Sequence, residues 1–454
     1  MKLLFINAIN TKKYIETVYP PLGLAYLSSY LKKHFQAIQI KIIDSKIEET
    51  LKEFRPNYVG VSSVSQNFNR AIFVADLCKK LNIPVFVGGV HITMLPESLP
   101  KIFDFGVVGE AEQTMVEVVD YLSKGGKSGS MEMKSINGLV LHDNEGILLT
   151  NKRPLLENLD LLPFPDRDLL NIHIGETTYL FSSRGCPYKC TFCASTRFWN
   201  KTRWFSSNYV LAELELIINK YKPKVITFYD DLAVANLSRF QEIVKGIKSK
   251  GIDKKVKFNF SCRANLVNEN LIATLKQLDI ERICFGLESG SQKTLDFLKP
   301  KMTIEKNRLA LDMFHKAKIP IQATFIIGSP DESEKDILET YSFIKKSKLI
   351  DFETYILTPF PGTPVWDIAL NKGIVSNGMN WEDLAVEVED NPENKILLSN
   401  LPKNKIMELY NLIKREKIRR RHKYLILRII TNPLWIIKKI YERYKNYKHR
   451  NSVR

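Results

Sequence analysis

Apolar and polar positions along the chain fall into two long rhythmic series. In residues 1–125, short apolar runs at Lys2–Asn7, Gln39–Asp44, Tyr58–Ser62, Val85–Gly88 and Phe105–Val108 read as β-strands. Between them, Leu22–Phe35, Lys46–Phe54, Asn67–Leu81 and Glu112–Leu122 carry apolar residues three and four apart, the spacing of one helix face. Strand–helix alternation at this pitch predicts an α/β fold, a Rossmann-like doubly wound parallel sheet that binds ligands beyond its strands' carboxyl ends. The second series predicts strands at Tyr179–Ser183, Val225–Tyr229, Lys257–Cys262, Arg282–Leu287, Ile321–Ile327 and Phe352–Leu357. Helical spacing recurs at Ser207–Lys220, Leu237–Lys250, Asn268–Leu278, Lys306–Ala317 and Glu332–Ser347. Such βα units suit a partial or full TIM-type β/α barrel, with chemistry on its carboxyl-end loops.

The intervening stretch is punctuated differently. Residues 124–135 (KGGKSGSMEMKS) read as a loop, Gly138–Leu141 and Gly146–Thr150 as a small hairpin, and Pro154–Asp168 as a linker. The expected organisation is a Rossmann-like domain over 1–125, a linker over 126–177 and a barrel core over 178–370. A barrel-associated region over 371–413 and a basic helical tail over 414–454 complete it.

Composition narrows the class. With 44% hydrophobic and 26% charged residues, the chain is neither disordered nor collagen-like. No run of about 18 uncharged apolar residues suggests a membrane span. The start, MKLLFINAIN, is too short for a secretory core, so a cytoplasmic location is expected. Of the net charge of +17, the tail from Lys414 carries +13, so basicity belongs to the tail and not to the body.

Three of the six cysteines, Cys186, Cys190 and Cys193, lie within eight residues. They follow the first strand of the second series as Arg184-Gly-Cys-Pro-Tyr-Lys-Cys-Thr-Phe-Cys193. A tight cysteine cluster in a cytosolic chain of this size binds metal or reacts. Thiolates favour an iron–sulfur cluster or zinc, and structural zinc asks for a fourth Cys or His that is not nearby. Three unrelated buried thiols are the bland alternative.

This loop resembles that of the radical S-adenosylmethionine superfamily. The resemblance extends over residues 178–370: Phe228-Tyr-Asp230-Asp231 follows the second strand and Ser261-Cys-Arg263-Ala-Asn the third. Phe285-Gly-Leu-Glu288-Ser-Gly-Ser follows the fourth, Phe325-Ile-Ile-Gly328-Ser-Pro-Asp-Glu332 the fifth, and Leu357-Thr-Pro-Phe-Pro-Gly-Thr-Pro364 the sixth. The resemblance implies that Cys186, Cys190 and Cys193 hold three irons of a 4Fe–4S cluster whose fourth iron takes S-adenosylmethionine and yields a 5′-deoxyadenosyl radical. It implies Asp230 or Asp231 for the methionine amino group, Arg263 for its carboxylate, Glu288 for a ribose hydroxyl, and Gly328 on the same cofactor. A strand-end charge that simply pairs with another strand-end charge is the plain alternative for these polar residues.

The first domain is similar to the cobalamin-binding domain found ahead of many such enzymes. The motifs are Tyr19-Pro-Pro-Leu-Gly23, Val61-Ser-Ser63-Val-Ser65, Gly88-Gly89-Val-His91-Ile-Thr and Val107-Val-Gly109-Glu110-Ala-Glu112. The similarity implies a corrin against Ser63, Ser65, Gly88, Gly89, His91, Gly109 and Glu110. The D-x-H-x-x-G motif that supplies a cobalt-ligating His elsewhere is absent, so no lower-axial protein nitrogen is expected, and a lone loop His such as His91 also suits a hydrogen-bonded surface group.

Together these resemblances imply a cobalamin-dependent radical enzyme that methylates an unactivated carbon by way of methylcobalamin. The alternatives are a non-methylating cyclase or rearrangement enzyme and a membrane-associated cobalamin- or cluster-binding protein without catalysis. Expected partners are a small-molecule or lipid-like substrate and an electron donor such as flavodoxin or ferredoxin. The tail, with Leu425, Ile426, Leu427, Ile429 and Ile430 followed by Leu434–Ile437 among cations, suits either peripheral contact with anionic membrane at the inner face or packing on the barrel. No recognition motif for nucleic acid accompanies the charge.

Overall fold

The computed structural model describes residues 1–171, 175–386 and 395–431. Its first sheet has seven strands: β1 (Lys2–Asn7), β2 (Gln39–Ile43), β3 (Tyr58–Ser62), β4 (Val85–Gly88), β5 (Gly106–Val107), β6 (Leu139–His142) and β7 (Ile147–Leu149). Their order is β2-β1-β3-β4-β5-β6-β7, parallel as far as β5 and antiparallel beyond. Strand β1 shows why the sheet needs helices on both sides. Leu3 and Phe5 bury against Leu22, Ala25 and Met115 on one face, while Leu4 and Ile6 bury against Phe68, Ala71 and Val74 on the other. The hairpin β6–β7 was expected within the linker. It instead extends this sheet, because β6 buries Leu139, Val140 and Leu141 and covers the edge of β5.

The second region holds β8 (Thr177–Leu180), β9 (Ser183–Arg184), β10 (Arg203–Trp204), β11 (Val225–Phe228), β12 (Lys257–Cys262), β13 (Ile280–Glu288), β14 (Ile321–Ile327) and β15 (Asp351–Ile356). Six of these form one parallel sheet in the order β15-β14-β13-β12-β11-β8, an open partial barrel, while β9 pairs with β10. The expected strand Tyr179–Ser183 is therefore broken after Leu180. Asp230 accepts hydrogen bonds from the Ser182 amide at 3.0 Å and the Ser182 hydroxyl at 2.9 Å, and this turns the chain toward β9.

The region after the barrel divides its loyalties. Trp381, Leu384 and Leu398 pack with Phe68, Val74 and other residues of the first domain, so the stretch expected to associate with the barrel seals the two domains together. The expected break at residue 414 is absent: one helix runs Lys403–Thr431. Its first half buries Ile406, Leu409, Tyr410 and Ile413 in the barrel core. Arg420 then donates to the carbonyls of Ile344, Lys345, Ser347 and Leu349, capping the helix Glu334–Lys346. Leu434–Ile437 lie outside the described residues. No described helix is long and apolar enough to cross a membrane.

Candidate functional site

The carboxyl ends of the two sheets face each other across a cavity of about 550 Å³. One wall comes from the first domain: Asn7, Gly23, Ser62, Gly88, Gly89, Gly109 and Glu110. The other comes from the barrel mouth: Phe181, Arg184, Gly185, Trp199, Tyr229 and Asp231. Gly185 precedes Cys186, so the cavity reaches the cysteine loop. A second cavity, of about 800 Å³, opens at the amino ends of β13, β14 and β15, away from these loops.

Three cysteines form the loop's chemistry. Cys190 is buried, and Cys186 and Cys193 are half-buried. Burial raises the Cys186 thiol and pushes Cys193 up to about 11, and in both cases the Asp231 carboxylate and neighbouring sulfurs push the same way. Such thiols keep their protons until a metal displaces them. Among the described residues, no group of three His, Cys, Asp or Glu side chains is drawn close enough to grip a single ion. Arg263, at the end of β12, donates from Nη1 to Cys190 Sγ at 3.0 Å and lies over the Tyr188 ring at 4.2 Å. Its Nε is buried without a partner. A buried cation beside thiols suits a group that carries net negative charge, as an iron–sulfur cluster with three thiolates does. In this respect the donor set fits.

The other residues expected to hold S-adenosylmethionine are placed differently. Asp231 is exposed to the cavity and accepts from the Ser195 hydroxyl. Asp230 is buried with its carboxylate spent on Ser182 and Ser183, so it shapes the strand end and does not reach the cavity. Glu288 pairs with Lys299 at 2.9 Å, both buried. Its φ of 65° sits at an irregularity in the β13–β14 pairing, and a Cβ on neighbouring Gly286 would meet Glu288 Oε1 at 2.2 Å. Gly328 donates its amide to Glu332 at 2.6 Å and is not on the cavity wall. For Glu288 the pairing of strand-end charges, the plain alternative, describes the observed contact, while Asp230 is held by serine hydroxyls and an amide.

The first domain divides in the same way. Gly88, Gly89, Gly109 and Glu110 line the cavity. A Cβ at Gly23 or Gly109 would meet nothing within 4 Å, so both glycines leave open space where a flat ligand can approach. This wall fits a corrin. Gly89 has a φ of +101°, and a Cβ there would meet the Ser63 carbonyl at 2.6 Å. Ser63, Ser65 and His91 point elsewhere, which corrects the sequence expectation. His91 is fully buried on the helix Val90–Met94, packed against Phe68 at 3.8 Å and Trp381 at 4.4 Å. Ser65 and Ser98 hydroxyls bond its two ring nitrogens at 3.0 and 3.1 Å, and desolvation lowers its pKa to about 3. It is a neutral core residue, not a surface group or a ligand.

Sequence reasoning assigned no role to several aromatic residues at and beside the cavity. Tyr19 and Tyr229 stack face to face with centroids 5.3 Å apart, joined edge-on by Tyr179, and bring the two domains together. Trp199 stands near the guanidiniums of Arg184 and Arg203. The aromatic beside Pro20-Pro21 and the aromatic density after the cysteine loop were the available signals.

Comparison with known proteins adds to this geometry. The profile of the radical SAM superfamily matches residues 180–344 and that of the B12 binding domain residues 12–119. An uncharacterized methyltransferase of Pyrococcus horikoshii is 34% identical over 82% of either chain. The anaerobic magnesium-protoporphyrin IX monomethyl ester cyclase of Cereibacter sphaeroides is 26% identical over 77% of this chain and 60% of its own. The fold is similar to that of the radical S-adenosylmethionine methyltransferase TsrM from Kitasatospora setae, with a TM-score of 0.68 at 16% identity, covering 82% of this chain and 77% of that one.

Proposed function

This chain belongs to the radical S-adenosylmethionine superfamily with a B12 binding domain ahead of the barrel, and from that premise we propose that it methylates an unactivated carbon of a small-molecule substrate. The observation that carries the reading is the shared cavity, whose walls come from the residues flanking the cysteine loop, Arg184, Gly185 and Trp199, and from the glycine face of the first domain. Cys186, Cys190 and Cys193 would hold a 4Fe–4S cluster, Asp231 would stand beside S-adenosylmethionine, and Gly23, Gly88, Gly89 and Gly109 would lie against cobalamin. When bound, these groups supply one-electron hydrogen abstraction and a transferable methyl group. The chain's own part is position and dryness. Phe181, Trp199 and Tyr229 wall the cavity with apolar surface, which keeps water from reactive carbon. Glu110 is committed to Arg184 and Arg203, so its role toward cobalamin is to hold the wall.

The test is product analysis with methyl-deuterated S-adenosylmethionine under anaerobic, reducing conditions. Deuterated methyl in the product supports methylation. Formation of 5′-deoxyadenosine with unlabelled product would favour the cyclase reading, which the 26% identity to the magnesium-protoporphyrin ester cyclase keeps in play. No 5′-deoxyadenosine with any candidate substrate would favour the binding protein. The same reading includes a flavodoxin or ferredoxin as electron donor and a cytoplasmic site of action. Exposed Ile418, Ile426, Leu427, Ile429 and Ile430 among the cations of the terminal helix support peripheral contact with anionic lipid. Co-sedimentation with phosphatidylglycerol vesicles but not phosphatidylcholine vesicles is the expected result.

A further inference from the structure

Arg263 is a desolvated cation whose surroundings are unusual. It is only 6% exposed, and none of the ion pairs found among the described residues includes it. The guanidinium is held on three sides. The end of β12 fixes its backbone, the Tyr188 ring lies under its plane, and Tyr188 is itself steadied by Asn265 Nδ2 at 2.8 Å from its hydroxyl. Of its donors, Nη1 points to Cys190 Sγ and Nε is sealed from water. Burying an unpaired guanidinium is costly, and negative charge density at a neighbouring sulfur offsets that cost.

We propose that Arg263 is a positioning residue that sets the reduction potential of the cluster through the Cys190 sulfur, and is not the partner of the S-adenosylmethionine carboxylate. This rests on the cluster assignment made above. A cation and an N–H donor at a ligating sulfur stabilise the more negative, reduced state more than the oxidised one, and so raise the potential. The planar stack on Tyr188 explains why arginine stands here: a guanidinium can lie on a ring and still direct one N–H at the sulfur.

The experiment uses the full chain, reconstituted anaerobically with iron and sulfide, and measures the cluster's midpoint potential by EPR-monitored redox titration. Arg263→Gln is expected to shift the potential to more negative values. Arg263→Lys, which keeps the charge without the stack, should fall between the two. Tyr188→Leu leaves the arginine but removes its platform, and should shift the potential in the same direction by less. Affinity for S-adenosylmethionine should stay within about twofold of wild type. An unchanged potential in Arg263→Gln overturns the proposal, and a loss of about tenfold or more in S-adenosylmethionine affinity alongside it would assign Arg263 to the carboxylate. If Arg263→Gln does not fold, the lysine and Tyr188 variants decide the matter in the same way. A wild-type chain that takes up no iron overturns the functional reading itself, before any potential is measured.

Discussion

Arg184 and Glu110 meet at 2.7 Å across the seam between the two sheets. Arg184 lies two residues before Cys186, and Glu110 follows β5 of the first domain. The contact therefore ties the cysteine loop to the opposite wall of the cavity. Arg203 adds two bonds to the same carboxylate at 2.8 and 2.9 Å, and Glu112 takes the other arm of Arg184 at 2.6 Å. Burial alone would raise the Glu110 pKa, but the hydrogen bonds and charges of Arg203 and Arg184 outweigh it and hold the carboxyl below its usual range.

Removing that carboxylate strands Arg203, which keeps only the Leu156 carbonyl. Glu110→Ala should destabilise the chain by about 3 kcal/mol, the usual cost of leaving a buried charge unpaired. Thermal unfolding followed by circular dichroism measures this. A melting temperature equal to wild type would show that the seam does not depend on the pair.

Gly23 lines the cavity from the first turn of the helix Leu22–His34, with open space where a Cβ would stand. Gly23→Leu should leave the fold intact, or even firmer, because leucine favours a helix over glycine by about 0.8 kcal/mol. Cobalamin retained after desalting should nonetheless fall sharply. Normal retention together with a normal melting temperature would remove Gly23 from the cobalamin wall.

Cys190→Ala should abolish retained iron, whereas the wild-type chain should hold about four irons after anaerobic reconstitution. Iron analysis of the desalted protein reads this directly. The circular dichroism spectrum should be unchanged, since this loop has no regular secondary structure to lose.

His91 makes stability depend on acidity. Its folded pKa of about 3 lies below the ordinary value of 6.5, so the unfolded chain binds the extra proton first. The stability it contributes is complete above pH 6.5 and is lost as the pH falls toward 3. Melting temperature measured from pH 7.5 to 5 should decline, and part of that decline should vanish in His91→Gln, which starts lower because it loses the packing on Phe68 and Trp381. An identical slope in the variant would mean that other groups control acid unfolding.

Much of this was legible in the sequence because it depends on local spacing. Near-continuous apolar runs such as Leu3–Ile6 mark strands covered on both faces, and the three- and four-residue rhythm marks the helices between them. The cysteine loop was legible because its three thiols come from one short segment. Glycines at strand ends were legible for the same reason: the need for a missing side chain is imposed by the local turn.

Residues whose role depends on what stands opposite were not legible. His91 sits in a glycine-rich motif, yet Trp381 from nearly three hundred residues later covers it and turns it into core. Asp230 and Asp231 are adjacent in sequence, but the strand end points one at Ser182 and the other at the cavity. Glu110 reads as a ligand residue until Arg184 and Arg203 arrive from the other domain. The sequence by itself determined most of the strands and helices and the clustering of Cys186, Cys190 and Cys193 in one loop, because each follows from periodicity or short-range spacing. Only the tertiary structure decided which polar side chains remain free to meet a cofactor, because a buried charge must satisfy whichever partner the fold brings to it.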